Sequence, residues 1–287
     1  MVFRNPHAGA GAANAVRHDP RVMSFDDATA LQSDAGPFGW NVPDGWQQGR
    51  GSWGGLPIGA MVRAVELTQA DPTRPVRAVT AHLAAPALVG PHRISVAPVR
   101  IGSAVSTWEA RLLAHDGDVV ATAVVVTGAP RRPAQGRDES AWSPLTMPDA
   151  PPADAVPVAE TPPPFPPFTR HVEFRVLRGL PLQGGTAETL GWVGYRTDVP
   201  WTAASTVALV DAWYSVTLVA LAELGPIATI TFAATLLVDP ATLPPGARLL
   251  HHGLVGAARD GYASEQRRLW APDGRLVVDN LQTIAVG

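Results

Sequence analysis

The stretch Trp201-Thr202-Ala203-Ala204-Ser205-Thr206-Val207-Ala208-Leu209-Val210-Asp211-Ala212-Trp213-Tyr214-Ser215-Val216-Thr217-Leu218-Val219-Ala220-Leu221 decides the fold. From Ala203 to Leu221 it reads as one helix, apolar nearly all round, and such a helix is buried rather than laid on a surface. Strand-like runs follow at Ile227–Val238, Ala247–Val255, Gly261–Trp270 and Arg275–Val286. Asp273-Gly274 supplies a hairpin turn between the last two, because both residues tolerate positive φ. Two further strand-like pieces, His171–Val176 and Leu190–Thr197, precede the helix. A helix that must hide every face and a sheet that must hide one share a simple solution, in which the sheet wraps the helix.

The same order occurs earlier in the chain. Phe38–Val42 precedes a helical stretch from Gly54 to Gln69, whose Ile58, Met61, Val62, Val65 and Leu67 give a broad apolar face. Gly54-Gly55 and Pro57 stand at its start, where they are tolerated, and Pro72 and Pro75 end it. Strands are expected at Val76–Leu83, Arg93–Arg100, Ser106–Ala114 and Asp118–Thr127, with Asp116-Gly117 as the matching hairpin. The chain is therefore a duplicated unit of α+β class, and only the second copy carries a polar set: Asp211, Thr229 and Gln282. Aligning the hairpins puts Val125 opposite Gln282, and aligning the first long strands puts Val79 opposite Thr229. A scaffold built twice with a site built once is the expectation.

Between the copies, Arg131 to Pro167 contains Pro151-Pro152 and Pro162-Pro163-Pro164 and has almost no periodic apolar pattern. Proline at this density makes neither helix nor central strand, so 131–167 reads as an extended linker. Residues 1–22 read as a flexible leader without the apolar core of a secretory signal, which places the protein in the cytoplasm. The two repeats are then 23–130 and 168–287. The 287 residues are 46% hydrophobic and 16% charged, enough for a core and too little charge for a disordered chain. A net charge of −3 gives no basic field for nucleic acid. The nearest approach to a membrane span, Val207–Leu221, is interrupted by Asp211. The chain has neither cysteine nor lysine, which excludes thiol nucleophiles, cysteine metal sites, Schiff-base chemistry and a phosphate-loop lysine. His251-His252 lacks metal-ligand spacing, so no metal and no cofactor are expected. Gly51-Ser52-Trp53-Gly54 lacks the first glycine of a nucleophile elbow, and Gly9-Ala10-Gly11 has no strand before it.

These pieces, taken in order, make the chain resemble the double-hotdog acyl-CoA thioesterases, the thioesterase II family, from about Asp34 to Gly287. Trp53-Gly54-Gly55 opens the first helix, Asp211 lies in the second, Ile227-Ala228-Thr229-Ile230 starts a strand, and Gln282 follows the Asp273-Gly274 hairpin. The resemblance implies that Asp211, Thr229 and Gln282 form a catalytic set and that the substrate is an acyl-CoA thioester. The chain departs from the family pattern at Thr231-Phe232, where Asp-His is common, at Thr283-Ile284, where Glu-Gly is common, and at Leu83-Ala84-Ala85-Pro86, where Phe-Leu-Arg-Pro is usual.

Thioester hydrolysis needs a nucleophile, a proton acceptor and a partner for the oxyanion. Without cysteine, direct attack by water is the simplest route. Asp211, desolvated among apolar neighbours, is expected to have a raised pKa and to serve as general base or to orient it. Thr229 and Gln282 would hold the water without a second buried charge. Gly54, Gly55 and Leu56 are the expected oxyanion donors, since N–H groups at a helix start are unpaired and positively polarised. Arg131, Arg132, Arg267 and Arg268 are candidates, by charge alone, for the coenzyme A nucleotide, and His82 lies next to the expected groove. Exposed sheet edges point to a homodimer or larger homo-oligomer. Two other readings share the fold: a non-catalytic acyl-CoA binding protein, and an enoyl-CoA hydratase, disfavoured because neither helix holds a histidine.

Overall fold

The computed structural model describes residues 22–33, 36–131, 145–162 and 165–287. Most of the leader and part of the linker expected at 131–167 lie outside the described residues. Twelve strands form one antiparallel sheet. In the first repeat these are β1 (Leu31–Gln32), β2 (Phe38–Val42), β5 (Val76–Leu83), β6 (Gly90–Ile101), β7 (Val105–Leu113) and β8 (Val119–Gly128). In the second they are β9 (Val172–Arg178), β10 (Glu188–Tyr195), β11 (Ile227–Leu236), β12 (Leu249–Arg259), β13 (Tyr262–Trp270) and β14 (Leu276–Val286). A small separate ribbon joins β3 (Gln47–Gln48) to β4 (Gly51–Ser52). The sheet runs β1-β2-β6-β7-β8-β5-β11-β14-β13-β12-β10-β9, so β5 and β11 join the repeats edge to edge.

The registers of the two halves coincide. Trp108 pairs with Val125 and Ala110 with Ala123 in β7–β8; Glu265 pairs with Gln282 and Arg267 with Asn280 at the same places in β13–β14. Both junction strands carry a bulge at the same point, between Val76 and Ala78 in β5 and between Thr229 and Thr231 in β11. Across the joint, His82 pairs with Thr231 and Ala78 with Thr235, which centres the pseudo-twofold on the Thr80–Ala233 pair. The ladder registers correct one expected correspondence. Val76, not Val79, is the counterpart of Thr229, whereas Val125 is indeed the counterpart of Gln282. A plain alignment of the two runs cannot fix this register, which is set by the pairing of β5 with β8 and β11 and of β11 with β14.

After the short helix α1 (Phe25–Ala28), the concave face holds the helices α2 (Gly55–Gln69) and α3 (Ala203–Val210), which cross antiparallel in the core. Their close approach rests on small residues. A Cβ on Gly55 would lie 2.6 Å from the Ala208 carbonyl oxygen, and one on Gly59 would lie 3.1 Å from that of Ala204. Glycine at these two places lets the helix backbones touch. Thr202 caps α3, accepting from Ser205 N–H, with Ser205 Oγ accepting in return from Thr202 N–H.

The second helix is shorter than the sequence led one to expect. α3 ends at Val210, Asp211 is its C-cap, and helix resumes only at α4 (Thr217–Ala220). The reason is tertiary. The Trp53 indole N–H donates to the Asp211 carbonyl at 3.1 Å, and Arg267 donates to the Trp213 carbonyl at 3.1 Å. These groups take acceptors that a continuing helix would need for itself. The described part of the Pro-rich segment also does more than connect. Val156 is buried with Leu190, Trp192, Leu250 and Trp270, and the Trp192 indole donates to the Pro151 carbonyl at 2.9 Å. No helix among the described residues is long and apolar enough to cross a membrane.

Candidate active site

Three segments meet where the end of α3 faces the start of α2. Asp211 is 7% exposed at the break in α3. Gln282, 1% exposed, points inward from β14 and donates through Nε2 to Asp211 Oδ1 at 3.0 Å. The same nitrogen donates to Asn280 Oδ1 at 3.0 Å, and Asn280 donates onward to the Ala233 carbonyl at 2.9 Å. These contacts fix the amide, so that its oxygen faces Thr229, whose hydroxyl donates to it at 3.3 Å. The three polar residues singled out in the second repeat thus form one hydrogen-bonded chain.

Thr229 reaches that chain because of the bulge. Thr231, Ala233 and Thr235 are less buried than Phe232, Ala234 and Leu236 with which they alternate in β11. Strict alternation would turn Thr229 outward with Thr231. The extra residue, Ile230, is 38% exposed and restores Thr229 to the inner face, opposite the buried Ile284. Re-aiming a side chain is a recurrent use of bulges near active sites.

Burial raises the Asp211 pKa to about 6, against the opposing pull of Arg267, Gln282 and the Gly55 amide, while Glu265 raises it further. At neutral pH the group is a carboxylate whose basicity is well matched to proton abstraction. Its second oxygen faces the first repeat: a Cβ on Gly54 would lie 3.0 Å from Asp211 Oδ2 and 3.0 Å from Leu83 Cδ1.

The three expected oxyanion donors are not equivalent. Leu56 N–H is already spent on the Trp53 carbonyl at 3.0 Å, the bond that closes the turn into α2, and so is not available. The Gly55 amide favours the ionised form of Asp211. Gly54 N–H, half-buried, has no acceptor among the described residues. Trp53 is stacked on Trp46 and on Phe168, with ring centroids 6.1 and 5.2 Å apart, which holds this helix start rigidly against Asp211.

Sequence reasoning missed the charged surroundings. Arg267, 2% exposed, lies with Nη1 3.6 Å from Asp211 Oδ1 and is paired with Glu265, itself fully buried, at 2.7 Å. Burial opposes the Glu265 charge, but Arg267, Ser215 and the Thr217 amide hold its pKa below the usual range. This corrects the expectation that Arg267 could bind a nucleotide: its guanidinium is enclosed. Arg268 is engaged with Asp279 at 3.1 Å, Arg131 is exposed, and Arg132 lies outside the described residues. His82 is exposed on β5, and His252 meets Glu188 at 3.1 Å. The signal was present in the sequence: Glu265 and Arg267 fall at two-residue steps in line with Ala263 and Leu269, so all four share one face of β13. Among the described residues no group of three or more His, Cys, Asp or Glu side chains is placed to hold a metal ion.

The first repeat holds none of this. At matching register positions it has Val76 for Thr229, Val125 for Gln282, Ala123 for Asn280, Trp108 for Glu265, Ala110 for Arg267 and Ile94 for His251. All six are buried and apolar.

Two helix-wrapping sheets fused through β5 and β11, with one polar site, define a double hotdog protein of α+β class. Residues 42–128 match the acyl-CoA thioesterase N-terminal domain and 148–286 the acyl-CoA thioesterase C-terminal domain, so the chain belongs to the acyl-CoA thioesterase family and is a thioester hydrolase. A hotdog-fold protein of unknown function from Alicyclobacillus acidocaldarius is 29% identical, with a TM-score of 0.81 over 92% of this chain and 97% of that one. An acyl-CoA thioesterase II from Mycobacterium marinum is 16% identical, with a TM-score of 0.71 over 92% and 98% of the two chains. No protein of curated function matches the sequence.

Proposed function

We propose that the protein hydrolyses an acyl-CoA thioester to the free acid and coenzyme A by direct attack of water. The observation that carries this reading is the Asp211–Gln282–Thr229 chain facing the Gly54 end of α2. Asp211 Oδ2 takes a proton from a water that Thr229 and Gln282 help to orient. The water oxygen bonds to the thioester carbonyl carbon, and the carbonyl π pair moves to oxygen. Gly54 N–H, at the positive end of α2, receives that oxyanion. Collapse of the tetrahedral intermediate breaks the C–S bond, and the proton held by Asp211 passes to the departing thiolate. Water, thioester and products then balance without a covalent acyl-enzyme.

The test is release of free thiol from a panel of acyl-CoA thioesters by the wild type and by Asp211→Asn. The reading expects turnover of at least one thioester by the wild type and a loss of about 1000-fold or more in the folded variant. Turnover retained by Asp211→Asn would remove Asp211 from the mechanism.

A further inference from the structure

We propose that the buried Glu265–Arg267 pair is the positioning device of the site, fixing the turn from Asp211 to Thr217 and with it the direction of the Asp211 carboxylate. The inference rests on the hydrolytic reading of Asp211 given above.

The two side chains grip both ends of that turn. Arg267 Nη1 donates to the Trp213 carbonyl at 3.1 Å and to the Asp211 carbonyl at 3.5 Å, while its Nε and Nη2 hold Glu265 Oε2 at 3.2 and 2.7 Å. The other oxygen, Glu265 Oε1, accepts from the Ser215 hydroxyl and, at 3.0 Å, from Thr217 N–H. Asp211, Trp213, Ser215 and Thr217 are therefore all tied to one ion pair on β13. The first repeat supplies the control. At the positions of Glu265 and Arg267 it has Trp108 and Ala110, and its helix α2 runs unbroken from Gly55 to Gln69. The repeat with the pair has a helix that stops at Val210. A scaffold that folds with an apolar pair at this register gains little stability from a buried ion pair there. What the pair adds is the broken helix and the placement of its last carboxylate.

The groups acting on Asp211 come from three packed elements: Gly55 N–H from α2, Glu265 and Arg267 from β13, and Gln282 from β14, with Thr229 of β11 and Asn280 of β14 bonded to Gln282. Behind Arg267, on β12, His251 is stacked on Trp213 at 4.7 Å and kept neutral by burial. Among the described residues only the two members of the pair bring full charges of opposite sign next to Asp211, so their removal has opposite consequences.

The experiment follows kcat, KM and the acid limb of kcat/KM in the full chain, together with the folded state by circular dichroism. Glu265→Gln, nearly isosteric, leaves the Arg267 charge unopposed and is expected to move the limb to lower pH. The double variant Glu265→Gln/Arg267→Met is expected to lower kcat about 100-fold with KM within about threefold. It should also move the limb up by about one unit. If the double variant does not fold, Arg267→Lys carries the test: the charge stays, the grip on two carbonyls is lost, and kcat falls with the limb in place. Folded variants with wild-type kcat and an unmoved limb would overturn the positioning role while leaving hydrolysis by Asp211 intact. A wild type that hydrolyses no thioester would instead overturn the reading on which this one rests.

Discussion

Gly54 and Asp211, one from each repeat, face each other so closely that a methyl group on Gly54 would lie 3.0 Å from the Asp211 carboxylate oxygen. The site is thus completed only where the two copies meet. Gly54→Ala would also press Leu83, 3.0 Å away, so the carboxylate or the helix start must shift. The expected outcome is a folded protein with kcat/KM lowered about 10- to 100-fold, measured by thiol release beside a thermal melt.

On the proposed mechanism, titration of Asp211 governs rate and stability in opposite senses. Its folded-state pKa of about 6 lies above the ordinary carboxylate value because of burial. The base is ionised above that pH, so kcat/KM should fall as pH drops through about 6. The folded form holds the proton more tightly than the unfolded chain. The stability Asp211 contributes is therefore full below the unfolded pKa and is lost as pH rises through about 6. Asp211→Asn should accordingly be inactive yet more stable than the wild type at pH 7, by on the order of 1–2 kcal/mol. Denaturant melts at pH 5 and pH 7.5 check the sign, since the gap should narrow at the lower pH.

Thr229→Val keeps the shape and β-branching of the residue and removes the hydroxyl that donates to Gln282 at 3.3 Å. Stability should change by less than about 1 kcal/mol, because the side chain is only half-buried and the pair is one neutral hydrogen bond. Turnover should fall about 10- to 100-fold, read as kcat with KM little altered.

On the proposed mechanism Val125, the counterpart of Gln282, has no chemical part to play. Val125→Ala should cost about 2 kcal/mol of folding stability through the cavity it leaves. The rate per folded molecule should stay at the wild-type level, as an assay corrected for folded fraction would show.

Much of the scaffold was legible because its signals are local. The Asp116-Gly117 and Asp273-Gly274 hairpins and the alternating runs place β7, β8, β13 and β14 within a residue or two of their observed ends. Asp211 was legible as a carboxylate in an apolar helix, and the family resemblance picked out Thr229 and Gln282 with it. What escaped depends on partners far away in sequence. The break at Asp211 is set by Trp53 and Arg267, and no propensity within Ala203–Leu221 announces it. The register that makes Val76, and not Val79, the counterpart of Thr229 exists only in the pairing of β5 with β8 and β11 and of β11 with β14. Glu265 and Asn280 were not singled out, and Arg267 was a nucleotide candidate by charge alone, because only the fold shows that their face is the inner one.

The most direct measurement is a single turnover in water enriched in oxygen-18, with enzyme in excess over the thioester. Mass spectrometry then reads both the product acid and the peptide that contains Asp211. Direct attack by water puts one heavy oxygen in the acid and none in Asp211. A heavy oxygen in the Asp211 carboxylate with an unlabelled first-turnover acid would mean that the side chain itself had attacked the thioester, and would contradict its role as a base.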